Sequence, residues 1–166
     1  MREIRVMDFD ERLQKAIQRG KHRGDRAERE AAAQAMSEDD LKRLHNQYRL
    51  ELSDQIEKCL GNLPHHFPGF SYETIFGERG WGAACSRDDI RMQGGRRNND
   101  YSRLAMTIRP FTEYHIVELT SKGTIRNREL FNRSYYEKIE DADCAKFSEL
   151  IDVWVLEYAE QYAAKS

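Results

Sequence analysis

Apolar residues recur along this chain first at helical spacing, then at every second position, then at helical spacing again. Near the start, Phe9, Leu13, Ala16 and Ile17 lie three or four apart, with Val6 just outside. Asp8 and Glu11 precede them as a capping pair, a carboxylate N-cap followed three residues on by Glu. Gly20 and Gly24, within the polar run GKHRGD, predict an interruption. Asp25 and Glu28 form a second capping pair leading into AEREAAAQAM, whose alanines favour a helix because they lose little side-chain entropy. The apolar face of that segment is only Ala and Met36, so little holds it in place. Ser37 with Asp40 is a third start signal. Leu41, Leu44, Tyr48, Leu52, Ile56 and Leu60 then step by three or four, one apolar stripe over about six turns. Gly61, Asn62 and Pro64 predict its end.

From Pro64 the period changes. Phe70, Tyr72, Thr74 and Phe76 alternate with Ser71 and Glu73, a strand pattern. GERGWG, residues 77–82, predicts a turn, and a second strand follows from Trp81 through Met92. Residues 93–100, QGGRRNND, hold no apolar side chain and predict a solvated loop or hairpin end. Leu104, Met106 and Ile108 alternate again, closed by Pro110. Val117 and Leu119 continue the pattern, Ser121-Lys122-Gly123 predicts a tight turn, and a further strand runs from Thr124 to about Arg133. The last element is a helix over about 141–164, where Phe147, Leu150, Ile151, Trp154, Tyr158 and Tyr162 form a wide stripe. Contiguous strands with no helix between them predict an α+β fold with a mainly antiparallel sheet. The expected architecture has two layers. A sheet of four to five strands carries the 38–60 helix and the C-terminal helix on one face. A charged helical N-terminal arm, residues 1–36, precedes a single α+β domain, residues 37–166.

Composition sharpens this division. The chain has 166 residues, 27 Lys plus Arg against 29 Asp plus Glu, and a net charge of −2. Only 5 of the first forty residues are Leu, Ile, Val or Phe, too few to bury a core of their own. Residues 64–133 carry a net +3 and residues 134–166 a net −5. No run of about 18 apolar residues exists to cross a membrane. The opening MREIRVMDFDER lacks the apolar centre of a secretory signal, so a cytoplasmic setting is expected. The 3 Cys, namely Cys59, Cys85 and Cys144, are far apart and form no CxxC pair, which fits a reducing compartment.

Local motifs for chemistry are sparse. His65-His66 and Asp88-Asp89 are adjacent pairs that point opposite ways on an extended chain. His22, His45 and His115 are isolated and read as surface positions or helix ends. No metal site, cofactor or catalytic residue is expected. Arg23-Gly24-Asp25 and Asn132-Arg133-Ser134 match adhesion and glycosylation tripeptides by chance. Arg87, Arg91, Arg96, Arg97 and Arg103 fall within 17 residues, flanked by Trp81 and Tyr101. Guanidinium groups suit bidentate phosphate contacts and stacking on bases. Asp88, Asp89 and Asp100 interleave with them and offset part of that charge.

The function expected is a non-enzymatic protein-interaction module, a small cytoplasmic adaptor or chaperone-like protein with a protein partner or self-association. Leu41, Leu44, Tyr48, Leu52 and Ile56 are its candidate interface, although a stripe of this kind also suits packing on a sheet. The alternative is polyanion or nucleic-acid binding through the five arginines. A second alternative is an enzyme with a cleft between sheet and helices, using Cys85, His115 or Glu118.

Overall fold

The computed structural model describes residues 8–165, with the side chains of all but Ala35 and Met36. The apolar neighbours expected at Val6 and Met36 thus lie outside the described residues. The chain divides into two compact units, Met1–Asp40 and Leu41–Ser166.

The first unit is helical. Helix α1 runs Phe9–His66, so the three expected helices are one. Asp8 begins it as expected: its Oδ1 accepts the Glu11 backbone N–H at 2.9 Å. Gly20 and Gly24 do not interrupt the helix. A glycine in a helix interior costs about 1 kcal/mol relative to alanine, which lowers helix stability without removing a hydrogen bond. The stripe Phe9, Leu13 and Ile17 is exposed.

In the second unit, the remainder of α1 passes over Gly61 and Pro64 before ending at His66. Proline lacks the N–H that would bond the carbonyl four residues back, here that of Leu60. The Cys85 thiol donates to that carbonyl instead, at 3.0 Å, so the acceptor left over by Pro64 is satisfied from the sheet. Five strands follow: β1 Ser71–Ile75, β2 Trp81–Gln93, β3 Arg96–Ile108, β4 Ile116–Ile125 and β5 Arg128–Lys138. They form an antiparallel meander in the order β1-β2-β3-β4-β5. A short 3-10 turn, Ile139–Asp141, leads to helix α2, Cys144–Lys165. The fold is α+β, with an antiparallel sheet and an N-terminal helical arm.

Two turns differ from expectation. The loop expected over 93–100 shrinks to Gly94-Gly95, both at positive φ (60° and 77°), the requirement of the tight hairpin turns that match strand twist. The polar run beyond it is strand. The turn expected at Ser121–Gly123 lies instead at Arg126-Asn127, with φ of 47° and 69°. Gly123 is a mid-strand residue for a steric reason. A Cβ there would sit 3.0 Å from both Phe131 and Tyr158.

Alternation sorts the sheet into two faces. Cys85, Leu104, Met106, Val117, Leu119 and Phe131 join the buried cluster with Ile56, Leu60, Phe147, Ile151 and Tyr158. Both helices therefore cover one face. They run side by side in the same direction. Cys144 Sγ meets Glu51 Oε2 at 3.7 Å, Gln55 Nε2 donates to the Ser148 carbonyl at 2.9 Å, and Cys59 Sγ donates to Asp152 Oδ1 at 3.4 Å.

Candidate functional site

The arginines lie on a β-ribbon. β2 and β3 pair from Trp81↔Ile108 to Gln93↔Arg96. β1 flanks β2 only as far as Ser86, and β4 flanks β3 only as far as Arg103. Residues 87–102 thus extend as a two-stranded hairpin. Asn127 braces its base, accepting the Tyr101 N–H at 2.9 Å and donating to the Asn99 carbonyl at 2.8 Å. Alternation puts Arg87, Arg91 and Arg96 on the helix side and Arg97 and Arg103 on the opposite face. The five do not form one cluster.

Three of them are engaged by carboxylates. Arg87 pairs with Asp89 at 2.8 Å and donates to the Pro68 carbonyl at 2.9 Å. Arg91 pairs with Asp100, whose side chain is buried, at 2.7 Å, and Arg103 pairs with Glu73 at 3.1 Å. Arg96 and Arg97, at the tip, make no ion pair among the described residues. On the helix-free face Tyr101, Arg103, Lys122 and Thr124 line a hollow of about 240 Å³.

The stripe on α1 faces the chain's own sheet. Leu52 and Ile56 are buried in the core, and Leu41, Leu44 and Tyr48 pack on it half-buried. Little of that surface is left for another chain. Cys85, His115 and Glu118 do not converge. Cys85 points into the core while Glu118 lies on the opposite face of the sheet, and His115 sits in the β3–β4 turn at φ 54°. Burial pushes the Cys85 thiol up to about 11, so it stays protonated at neutral pH and serves as a donor. Cys59 and Cys144 are also raised to about 11, first by burial and then by Asp152 and Glu51 respectively. His45, expected at the surface, is only 3 % exposed. Its ring stands edge-on to Phe111 at 5.6 Å.

The surface that stands out is a groove between α1 and α2. Leu63, Phe67, Val155, Leu156 and Ala159 supply its apolar lining, with Cys59, Asn62 and His66 on the α1 side and Asp152 and Glu160 on the α2 side, and its volume is about 560 Å³. Leu156 is 66 % exposed, and Val153 beside it 47 %. The apolar stripe of α2 by itself does not predict it. The signal was present in α2, where Val153, Val155 and Leu156 add apolar positions beyond the stripe that one sheet-facing helix needs. Comparison with protein-family models, with curated proteins and with solved structures returned no match.

Proposed function

We propose that this chain is a non-enzymatic protein-interaction module that receives an apolar helix in the α1–α2 groove. The observation that carries the reading is the groove itself, a mostly apolar channel flanked by two large exposed aliphatic side chains, Val153 and Leu156. Such a surface between parallel helices suits the helix-in-groove mode of recognition, in which residues at i, i+3, i+4 and i+7 anchor a partner. Its acidic flank, Asp152 and Glu160, favours a partner with basic residues beside the apolar face. The three thiols support a non-catalytic reading, since each is held protonated as a hydrogen-bond donor.

A second reading is polyanion binding at the hairpin. Arg96 and Arg97 at the tip, and the hollow of Tyr101, Arg103, Lys122 and Thr124, favour it. One titration separates the two. Full-length protein is added to a fluorescent synthetic helix with a leucine face and lysine flanks, and separately to a fluorescent oligothymidylate. The first reading expects helix binding that drops tenfold or more in Leu156→Glu and is unchanged in Arg96→Ala/Arg97→Ala. Oligothymidylate binding that falls steeply with salt and is lost in the arginine variant would transfer the function to the hairpin. Absence of helix binding by the wild type would overturn the groove reading.

A further inference from the structure

We infer that the occupant of the α1–α2 groove is the first part of α1 from a second copy of this chain. The inference rests on the groove reading above and adds the partner. Three features of the molecule point to it.

The first is an apolar face left exposed among the described residues. Phe9, Leu13, Ala16 and Ile17 repeat at i, i+4, i+7 and i+8, which places them on one side of the helix, and Phe9, Leu13 and Ile17 are exposed at 73, 45 and 49 %. Large apolar side chains in such a row are the anchors the helix-in-groove mode uses.

The second is charge. From Arg12 to Gly24 the chain has five basic residues, Arg12, Lys15, Arg19, Lys21 and Arg23, and no acidic one. At 100° per residue, Arg12, Lys15, Arg19 and Arg23 fall along one flank of the apolar row. From Phe147 to Ala164 the chain has four acidic residues, Glu149, Asp152, Glu157 and Glu160, and no basic one. Of these, Asp152 and Glu160 line the groove, Glu149 shares their helical face, and Glu157 is taken by Arg133 at 3.0 Å. An apolar row with a basic flank thus matches an apolar channel with an acidic flank.

The third is that each chain carries both surfaces, the apolar row with its basic flank in the first unit and the channel with its acidic flank in the second, so two copies can supply one another. Two chains that exchange these segments reciprocally close into a dimer; unreciprocated contacts would extend into an open assembly.

The test is sedimentation velocity over a concentration series, on the full chain, with three variants. Leu13→Glu/Ile17→Glu alters the arm and Leu156→Glu the groove; all three positions are exposed, and far-UV circular dichroism checks that the fold is kept. The third is Arg19→Glu, alone and together with Glu160→Arg. The expected result is a concentration-dependent dimer of the wild type, weakened tenfold or more in each of the first two variants. Mixing those two must restore association, because the groove of one is intact and the arm of the other is intact. Arg19→Glu weakens the dimer and Glu160→Arg recovers part of the loss. Failure of the mixture to associate would overturn the inference. So would a dimer that survives Leu13→Glu/Ile17→Glu while losing affinity in Leu156→Glu, although the groove reading would then stand with another occupant. A wild type that stays monomeric overturns it as well, and the synthetic-helix titration decides the groove reading independently. If that monomer shows hydrogen-exchange protection around Leu156 that Leu13→Glu/Ile17→Glu abolishes, the occupant is the chain's own arm.

Discussion

Cys85 illustrates how one buried side chain can answer a defect elsewhere. Pro64 leaves the Leu60 carbonyl without its helical donor, and the Cys85 thiol supplies one at 3.0 Å. Cys85→Ala should destabilise the protein by about 1–3 kcal/mol, the range for a buried polar group left without a partner. Urea titration measures it, and a loss under ~0.5 kcal/mol would mean that the contact contributes nothing. Wild-type Cys85 should also resist a thiol reagent until the chain unfolds. His45 makes a second residue-scale prediction. Burial, the largest effect, holds its pKa below the ordinary 6.5; Arg49 lowers it further, while the Arg109 backbone hydrogen bond raises it. Lys42, 5.8 Å from the Phe111 ring that His45 meets, and His115, 5.6 Å from the same ring, are further titratable neighbours. The folded chain therefore keeps the ring neutral at pH values where the unfolded chain binds a proton. Stability is complete above about pH 6.5, declines as pH falls from there towards the lower folded pKa, and levels off below it with respect to this group. His45→Gln should remove that part of the slope in denaturant midpoints taken between pH 5 and 7.5. An unchanged slope in the variant would assign it to other groups.

Elements are legible where the apolar period is strong and hidden where a glycine or proline mimics punctuation. The alternation over Leu104, Met106 and Ile108 and over Val117 and Leu119 marked β3 and β4. The wide stripe from Phe147 to Tyr162 marked α2. Gly20, Gly24, Gly61 and Pro64 predict breaks, yet α1 runs through all four, since Gly costs a helix little and Pro64 is rescued from the sheet. The strand start over residues 96–99 is illegible because its side chains are exposed on both faces, so no burial imposes an alternation. Gly123 was placed in a turn because its sequence neighbours are Lys122 and Ser121; its partners across space decide otherwise. Gly123→Ala would bring a Cβ within 3.0 Å of the Phe131 and Tyr158 rings. Tyr158 is fully buried and its hydroxyl donates to the Thr124 carbonyl at 2.9 Å, so it has little room to give. Overpacking of this kind costs about 1–3 kcal/mol. Thermal melts should show a lower midpoint for Gly123→Ala, and an unchanged midpoint would show that the two rings can shift freely.

At the scale of the whole molecule, the five arginines and the long stripe of α1 were legible as features, whereas their availability was not. Charge pairing across the ribbon and burial against the sheet are set by contacts distant in sequence, as Arg103 with Glu73 and Ile56 with the strands illustrate. The groove was hidden for the same reason, since it exists only where the end of α1 meets α2. The same distribution of contacts makes a claim about independence. Among the described residues, every buried side chain of the hydrophobic core lies between Leu52 and Tyr162, and those packed half-buried against it lie between Leu41 and Ala159. Among residues 8–34, every side chain but half-buried Glu11 is exposed. We propose, accordingly, that the arm adds little to the folding free energy of the second unit, whose first residue is Leu41. A chain beginning at Leu41 should keep its urea midpoint to within about 0.5 kcal/mol, the scale of surface changes, at concentrations low enough to exclude association. Its helical circular dichroism should fall with the loss of the first half of α1, while the near-ultraviolet signal of Trp81 and Trp154, both in the second unit, should remain. A loss above ~2 kcal/mol would show that the arm is part of the cooperative fold, and the groove would then have to be sought a different occupant.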